Sequence, residues 1–495
     1  MSKRSSSNVL SRRRLLATGG GVLATSVLAA ILAGCGGSAP AASPAAQSSG
    51  TQSSAAQPTA AGAAPAAQAT SAPSSNEKLA LVVAAGGQAI SWKQVWDDLI
   101  KMFQQAHPNI TVSIDQGSTT GQYDQKLFAE LAAGTLPDVI RTTDNYAEPF
   151  KKNKITQDML PFARKTNFPI DDFNKTFLDL GMVEGTLQMI PVSGDVVILV
   201  INKRMVQEAG VEIPWKLDPA STSWTQDDFY KITQKLTVDV NGKRGDQAGF
   251  DKNNVNVYGF AIDPTWWAIY VPAILSQGGQ FVSDDVTKSL LNSKEGVAAI
   301  DWLTRGVLEG YWTPLSFLNT INGVAGAFTG QKAAITYTVR GGLPGIRPNM
   351  KDDWDAAHFY RGPAKRITGM GTQGYALSAA TKHPDDAWSF LEFMFSEQGT
   401  KIITSQYGAT PVEKRFYNAD WWKSLPPPPA NNDVFTQAYD YGTLPPRLPF
   451  YTTGPFTKAV TDGFTAIQLK QSSPAQVAQS VSDELQKWLD TNKKS

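Results

Sequence analysis

The chain has 495 residues, 45 basic against 44 acidic, with 13 Trp, 14 Tyr and one Cys. A near-neutral balance without a basic stripe excludes binding to nucleic acid through phosphate neutralisation, and a single thiol excludes a disulfide scaffold or a cysteine-rich zinc module. The length exceeds what one hydrophobic core usually supports, so two lobes are expected.

Lys3, Arg4 and Arg12 to Arg14 make a basic start, and an apolar run from Leu15 to Leu32 follows, broken by Thr18, Gly19 to Gly21, Thr25 and Ser26. Its small residues and basic flank read as a secretory signal over residues 1–34 rather than a membrane span. Leu32-Ala33-Gly34-Cys35 resembles the lipobox of bacterial lipoproteins. That resemblance implies acylation of Cys35, removal of the residues before it and a mature chain beginning at the cysteine; the other reading is a buried Cys in an N-terminal helix. Ser11 to Leu16, SRRRLL, resembles a twin-arginine (Tat) export motif with Leu15 where Phe is usual, or is a plain basic region with one extra arginine. Gly36 to Ser75 holds no charged residue and little besides Ala, Ser, Pro, Gly, Gln and Thr, so residues 35–76 are expected to form an anchored, disordered tether. Forty such residues reach roughly 35 Å. The five basic residues before Glu77 have no acidic counterpart, which leaves the body with 40 basic and 44 acidic residues.

The body opens with Leu79 to Ala84, a buried-strand pattern ended by Gly86-Gly87. Ser91 then stands where a helix cap is expected, before apolar residues at Trp92, Val95, Trp96, Leu99, Phe103 and Ala106 spaced along one helical face. Ile110 to Ile114 alternates as a second strand, Tyr123 to Ala133 reads as a helix and Pro137 to Ile140 as a third strand. Strands interleaved with helices imply a parallel α/β sheet. Ligands of such sheets lie beyond the carboxyl ends of the strands, which here are the loops Ala85 to Ser91, Gln116 to Gln122 and Thr142 to Asn145.

Seven segments, FQQAHPNITVSI, YDQKLFAELAAGTLPDVI, VILVINKRMVQEAGVEIPW, SWTQDDFYKITQKLT, YGFAI, AFTGQKAAITY and KHPDDAWSFLEFMFSEQGTKII, together resemble the extracellular solute-binding proteins (family 1, sugar type) that feed bacterial ABC transporters. The resemblance runs from about Leu79 to at least Pro411. It implies a two-lobed, periplasmic-binding-protein-like α/β fold of type II, each lobe a sheet flanked by helices, joined by three hinge crossings. Transferred to this chain, the N-terminal lobe comprises residues 77–195 and 361–405, and the C-terminal lobe residues 196–360 and 406–495. The crossings fall near Asp195, Tyr360 to Pro363 and Gln406 to Pro411. The implied partners are a mono- or oligosaccharide, ABC permease subunits with a cytoplasmic ATPase, and the outer face of the membrane through the lipid anchor. A monomer without cofactor or catalytic residue is implied.

A pyranose has apolar C–H faces and a hydroxyl rim, so its site needs flat aromatic surfaces and planar hydrogen-bonding groups. Trp266 and Trp267, with Tyr270 behind them and Asp263-Pro264 before, follow YGFAI, and either tryptophan is a candidate platform or helix-start packing. Arg340 and Gly341 end the GQKAAITY strand; Arg340 either bonds ligand or pairs with an acid. Gly369 to Tyr375, GMGTQGY, is too glycine-rich for ordinary strand, and Gln373 and Tyr375 lie in this candidate loop. In the N-terminal lobe Trp92, Ser118, Thr119, Tyr123, Asp144 and Asn145 occupy strand-end loops. Trp92 also belongs to a core stripe, and Asp144 could equally cap the helix begun by DNYAEPF. Asp195 sits at a proposed crossing. Arg447 and Tyr451 lie in the Pro-rich LPPRLPFY, where the family pattern is lost.

Other features have plain readings. The acidic pairs at 97–98, 227–228, 284–285 and 385–386 fit first helical turns. Asp239 to Lys243 with Asp246 resembles half a calcium loop but lacks the closing glutamate. Trp421-Trp422 before Pro426 to Pro429 is an exposed patch or a buried corner. His107, His358 and His383 are scattered, and no G-x-S-x-G occurs. A secreted glycoside-acting enzyme needs only two suitably spaced carboxylates, and a sensing lipoprotein for a polyol, sugar phosphate or peptide is a third reading.

Overall fold

The computed structural model describes residues 78–86, 88–115, 120–444 and 454–492. The expected signal, Cys35, the tether, Ser118, Thr119, Arg447 and Tyr451 lie outside the described residues. The aliphatic run Leu79–Ala84 forms β1, which pairs in parallel with β2, Ile110–Asp115, on one side and β3, Val139–Thr143, on the other. Between β1 and β2 the helix Lys93–Ala106 buries Val95, Trp96, Leu99 and Phe103, the i, i+4 stripe expected of an amphipathic helix. Ser91 does not cap it. Gln88–Ser91 is a separate helical turn, and Trp92 occupies the cap position without a side-chain bond.

The small hairpin of β4, Met182–Val183, and β5, Thr186–Leu187, precedes β6, Ile190–Val196, which belongs to the first sheet. One residue later the chain enters a second sheet as β7, Ile198–Asn202. There it is joined by β8, Val238–Asp239, β9, Val255–Phe260, β10, Ala333–Thr338, and β11, Trp354–Ala357, in the order β11-β7-β10-β9-β8. The chain returns to the first sheet as β12, Thr368–Leu377, and leaves again after the helix Glu397–Gln406. β13, Gly442–Thr443, adds a late parallel pair at the start of β12. Two sheets with three such passages make the two-lobed α/β architecture. Both sheets are mixed rather than purely parallel: β12 runs antiparallel to β3 and β6, and β7 runs antiparallel to β10 and β11.

Two large clusters of buried side chains divide along the faces of these sheets. Ile198 and Val200 of β7 point into the cluster built around the helix 93–106, whereas Leu199 and Ile201 point into the one containing Phe229, Trp312 and the helices Gly454–Gln468 and Pro474–Thr491. Among the described residues no helix is long and apolar enough to cross a membrane. Of the acidic pairs, Asp227-Asp228 and Asp385-Asp386 occupy first helical turns, and Thr225 with Asp228 closes a capping box. Asp97-Asp98 lie further into their helix and Asp284-Asp285 in a turn.

The segment Gly369 to Tyr375 corrects the expectation of a loop, because it is the interior of β12. Its glycines answer to close approach rather than to turning. A β-carbon on Gly374 would lie 2.0 Å from the Ile190 carbonyl oxygen, and one on Gly369 would lie 2.6 Å from Ala268 Cβ. Glycine weakens an isolated strand, but at Gly369 and Gly374 nothing larger fits. The substitution Gly374→Ala is therefore expected to lower the unfolding free energy by about 2–3 kcal/mol, because rigid backbone must move. Gly345→Ala, where an added carbon meets nothing within 4 Å, should leave stability unchanged or slightly raised. Urea unfolding of the two variants checks the contrast.

Candidate functional site

On the second-sheet side, Asp263 follows the end of β9 and folds the chain into a tight turn. Its Oδ1 accepts from Thr265 N at 2.9 Å and from Thr265 Oγ1 at 2.6 Å. The turn delivers Trp266 and Trp267 at the start of the helix Trp267–Ser276. Trp266 stacks on Tyr337 of β10, with ring centroids 5.7 Å apart and planes inclined by 20°, and Tyr337 itself sits against Asp263. Trp267 stands edge-on to Trp266 at 6.4 Å. Both indoles are half-buried, as suits a surface that meets a ligand on one face.

On the first-sheet side, three neighbouring strands present polar groups. Arg141 of β3 donates through Nη2 to Gln373 Oε1 of β12 at 2.6 Å. Asp195 of β6 stands opposite Gly371 of β12 in the strand register. Asp144 and Asn145 follow the carboxyl end of β3 and are half-buried. The sides meet at Gly371, where a β-carbon would lie 3.9 Å from Asp144 Oδ2 and 4.0 Å from the Trp267 ring. Beside this point Tyr407, in the third passage, links further parts. Its ring packs 4.4 Å from that of Trp92, and a β-carbon on Gly341 would fall 3.3 Å from it. Thus Asp144, Trp267 and Gly371 are brought together from both sheets, with Asp195, Gln373, Trp266 and Gly341 around them.

Five candidates are corrected. Arg340 does not face this space: it is 1% exposed, Nη1 donates to the carbonyls of Thr404 and Ala409 at 3.1 and 3.0 Å, and its guanidinium lies 4.7 Å over the Trp422 ring. Trp422 is thereby a buried corner. Tyr375 is fully buried and donates to Gln88 Oε1 at 2.5 Å. Tyr270 lies in the core behind the tryptophans, and Tyr123 is buried with its hydroxyl 2.9 Å from the carbonyl oxygens of Ala84 and Arg141. Trp92 takes the core role that its stripe position offered, 1% exposed against Trp96 and Tyr407. Arg141 and Tyr407 were missed. A charged residue directly after the buried pair Val139-Ile140 was the available signal for Arg141; Tyr407 offered none beyond its place at a predicted crossing.

The Asp239 loop is closed by its own backbone: Oδ1 accepts from Asn241 N and Lys243 N at 2.8 and 2.9 Å, and Oδ2 from Asp251 N at 2.9 Å. Among the described residues no cluster of three His, Cys, Asp or Glu could hold a metal.

Burial raises the Asp195 carboxyl to about 6, against the opposing pull of the Arg141 charge. A carboxyl raised on folding contributes stability that is fully present below its unfolded value, near 4, and is lost as pH rises through about 6. The difference in unfolding free energy between the wild-type chain and Asp195→Asn should therefore shift against the wild type by up to about 3 kcal/mol between pH 4 and pH 7. Urea titrations of both proteins across that window measure it; a pH-independent difference would sink the assignment.

The sequence pattern of bacterial extracellular solute-binding proteins matches residues 98–430. A Brucella abortus (strain 2308) protein, named provisionally as a binding protein, is 22% identical over 339 residues, covering 66% of this chain and 74% of its own. Among solved structures, the ABC substrate-binding protein Lmo0181 of Listeria monocytogenes, in complex with cycloalternan, superposes with a TM-score of 0.70 at 20% identity, over 84% of this chain and 100% of its own. UgpB of Mycobacterium tuberculosis, in complex with glycerophosphocholine, gives 0.67 at 18% identity over 85% and 100%. Maltose-bound MalE3 of T. maritima gives 0.65 at 17% over 83% and 100%. Sequence match and fold agree, and the chain belongs to the bacterial extracellular solute-binding protein family.

Proposed function

We propose that this protein captures a neutral mono- or oligosaccharide between its lobes and delivers it to the permease of an ABC importer powered by a cytoplasmic ATPase. The lobes in this reading are residues 77–195 with 361–405, and 196–360 with 406–495, the pair Gly442–Thr443 reaching back onto the first sheet. The observation that carries the reading is the meeting of the Trp267 indole from one lobe with Asp144 from the other at the bare backbone of Gly371. An indole face matches the C–H face of a sugar ring, and carboxylate, amide and guanidinium edges match its hydroxyls. Ligand that touches both sides favours the closed arrangement over the open one, so binding shifts the hinge equilibrium. The sugars in the related complexes with cycloalternan and maltose support a carbohydrate. In the same proposal Cys35 is acylated after Tat-dependent export, and the monomer works at the outer face of the cytoplasmic membrane on its tether.

Maltotriose and maltose are the first probes. Saturable change in tryptophan fluorescence and a rise in melting temperature are expected, with the sugar recovered intact by chromatography. Trp267→Ala should weaken binding at least about tenfold by removing the stacking surface. Hydrolysed sugar would instead establish a glycoside-acting enzyme, and indifference to every saccharide of a broad panel would overturn the carbohydrate reading.

A further inference from the structure

A second hollow lies away from the lobe junction, at the edge of the second sheet formed by β11. Its volume is about 380 Å³, within the range of small-molecule sites, and its wall includes Trp215, Lys216, Asp355, Lys423, Asn431 and Asn432. Asp355 is only 7% exposed. Its Oδ1 accepts from Ala356 N at 2.8 Å and Asn431 N at 2.9 Å, while no donor among the described residues meets Oδ2. Lys203, whose charge is near enough to feel Asp355, is engaged with Asp353 at 2.8 Å.

Asn431 adds an acceptor to the same wall. Asn431 Nδ2 donates to the Trp215 and Ala356 carbonyls at 2.7 and 3.0 Å, which leaves its amide oxygen without a donor among the described residues. Asn432 Nδ2 donates to the Pro429 carbonyl at 3.2 Å, and its buried Oδ1 has no partner. A buried acceptor left unpaired is costly, and here the Asp355 carboxylate and the Asn431 amide oxygen belong to one wall, while Asn432 Oδ1 is closed to solvent. At the exposed rim Lys216 and Lys423 form no ion pair among the described residues, with Asp433 beside them.

We infer that this hollow is a second ligand site, separate from the lobe junction, for a small zwitterion of amino-acid to dipeptide size. An ammonium group carries three donors and no acceptor, which complements Asp355 Oδ2 and the Asn431 amide oxygen. The carboxylate of the same molecule then meets the ammonium groups of Lys216 and Lys423, and Trp215 flanks its apolar portion. A neutral sugar fits less well, because its hydroxyls bring acceptors as well as donors to the Asp355 and Asn431 oxygens, which only accept.

Titration calorimetry of the full chain with alanyl-leucine, with butylamine and butyrate as single-charge controls, tests the assignment. Saturable binding of the dipeptide at least about tenfold tighter than either control is expected, since both charged ends are held. Asp355→Asn keeps the backbone bonds to Oδ1 and should weaken dipeptide binding about tenfold or more. The exposed pair Lys216→Glu with Lys423→Glu should do the same, and decides the question should Asp355→Asn not fold. Trp267→Ala should have no effect. Absence of binding, binding insensitive to the Asp355 and lysine changes, or binding removed by Trp267→Ala would overturn the proposal; the last outcome would assign the dipeptide to the lobe junction.

Discussion

The lobe junction depends on the absence of side chains along β12. At Gly369 the strand lies so close to Ala268 that an added β-carbon would sit 2.6 Å from its Cβ, and at Gly374 the Ile190 carbonyl oxygen occupies the same kind of space. The approach at Gly369 sets the start of the helix Trp267–Ser276 directly onto the first sheet. Trp267 consequently stands beside Asp144, and Gly371 leaves the gap between them open. A larger residue at Gly369 would hold that helix off the first sheet, and one at Gly374 would part β12 from β6 within it. Strand stability is traded locally for a cross-lobe distance, which is the quantity that a closing site requires.

The third passage, where the chain leaves the first sheet for the last time, is held differently. Arg340 is buried without a carboxylate partner among the described residues, its charge met by two carbonyl oxygens and the face of Trp422, and burial pushes it down to about 9. A few residues on, Glu413 is buried beside Thr400 and is pushed up to about 7 by desolvation. Such groups add little net stability. They do tie the backbone around residues 404–413 to one arrangement, since an alternative would strand a buried charge or a buried carboxyl. Tyr407 lies inside this stretch, between Trp92 and Gly341, so the polar fastening around it places an aromatic ring at the border of both lobes.

The lobe junction and the hollow beside β11 differ in character. At the lobe junction donors and acceptors are mixed: Arg141 and Gln373 pair with each other, Asp144 and Asp195 stand near them, and indoles supply the apolar face. The hollow beside β11 has acceptors on its wall and cations on its rim. Complementarity, more than size, separates what each can hold.

Much of the architecture was legible in the sequence, because periodicity and capping depend on residues near each other along the chain. β1, β2 and the helix 93–106 follow from patterns within a dozen residues, and the segment order pointed to the two-lobed family. The side chains that face the junction were only partly legible. Trp92 and Trp267 are both tryptophans at helix starts, yet one is 1% exposed and the other half-buried; the apolar stripe after Trp92 hinted at its burial, whereas nothing near Trp267 separated platform from packing. Arg340 looked available for a ligand until Trp422 and Thr404, distant in sequence, enclosed it. The glycines of β12 resembled a loop because the reason for them is Ile190 and Ala268, far away along the chain. Sequence by itself determined the strands and helices whose patterns are local, β1, β2 and the helix 93–106 among them, but not β12. Tertiary structure alone decided which of their faces meet, because burial and approach are set by partners hundreds of residues distant that only the folded chain brings within contact.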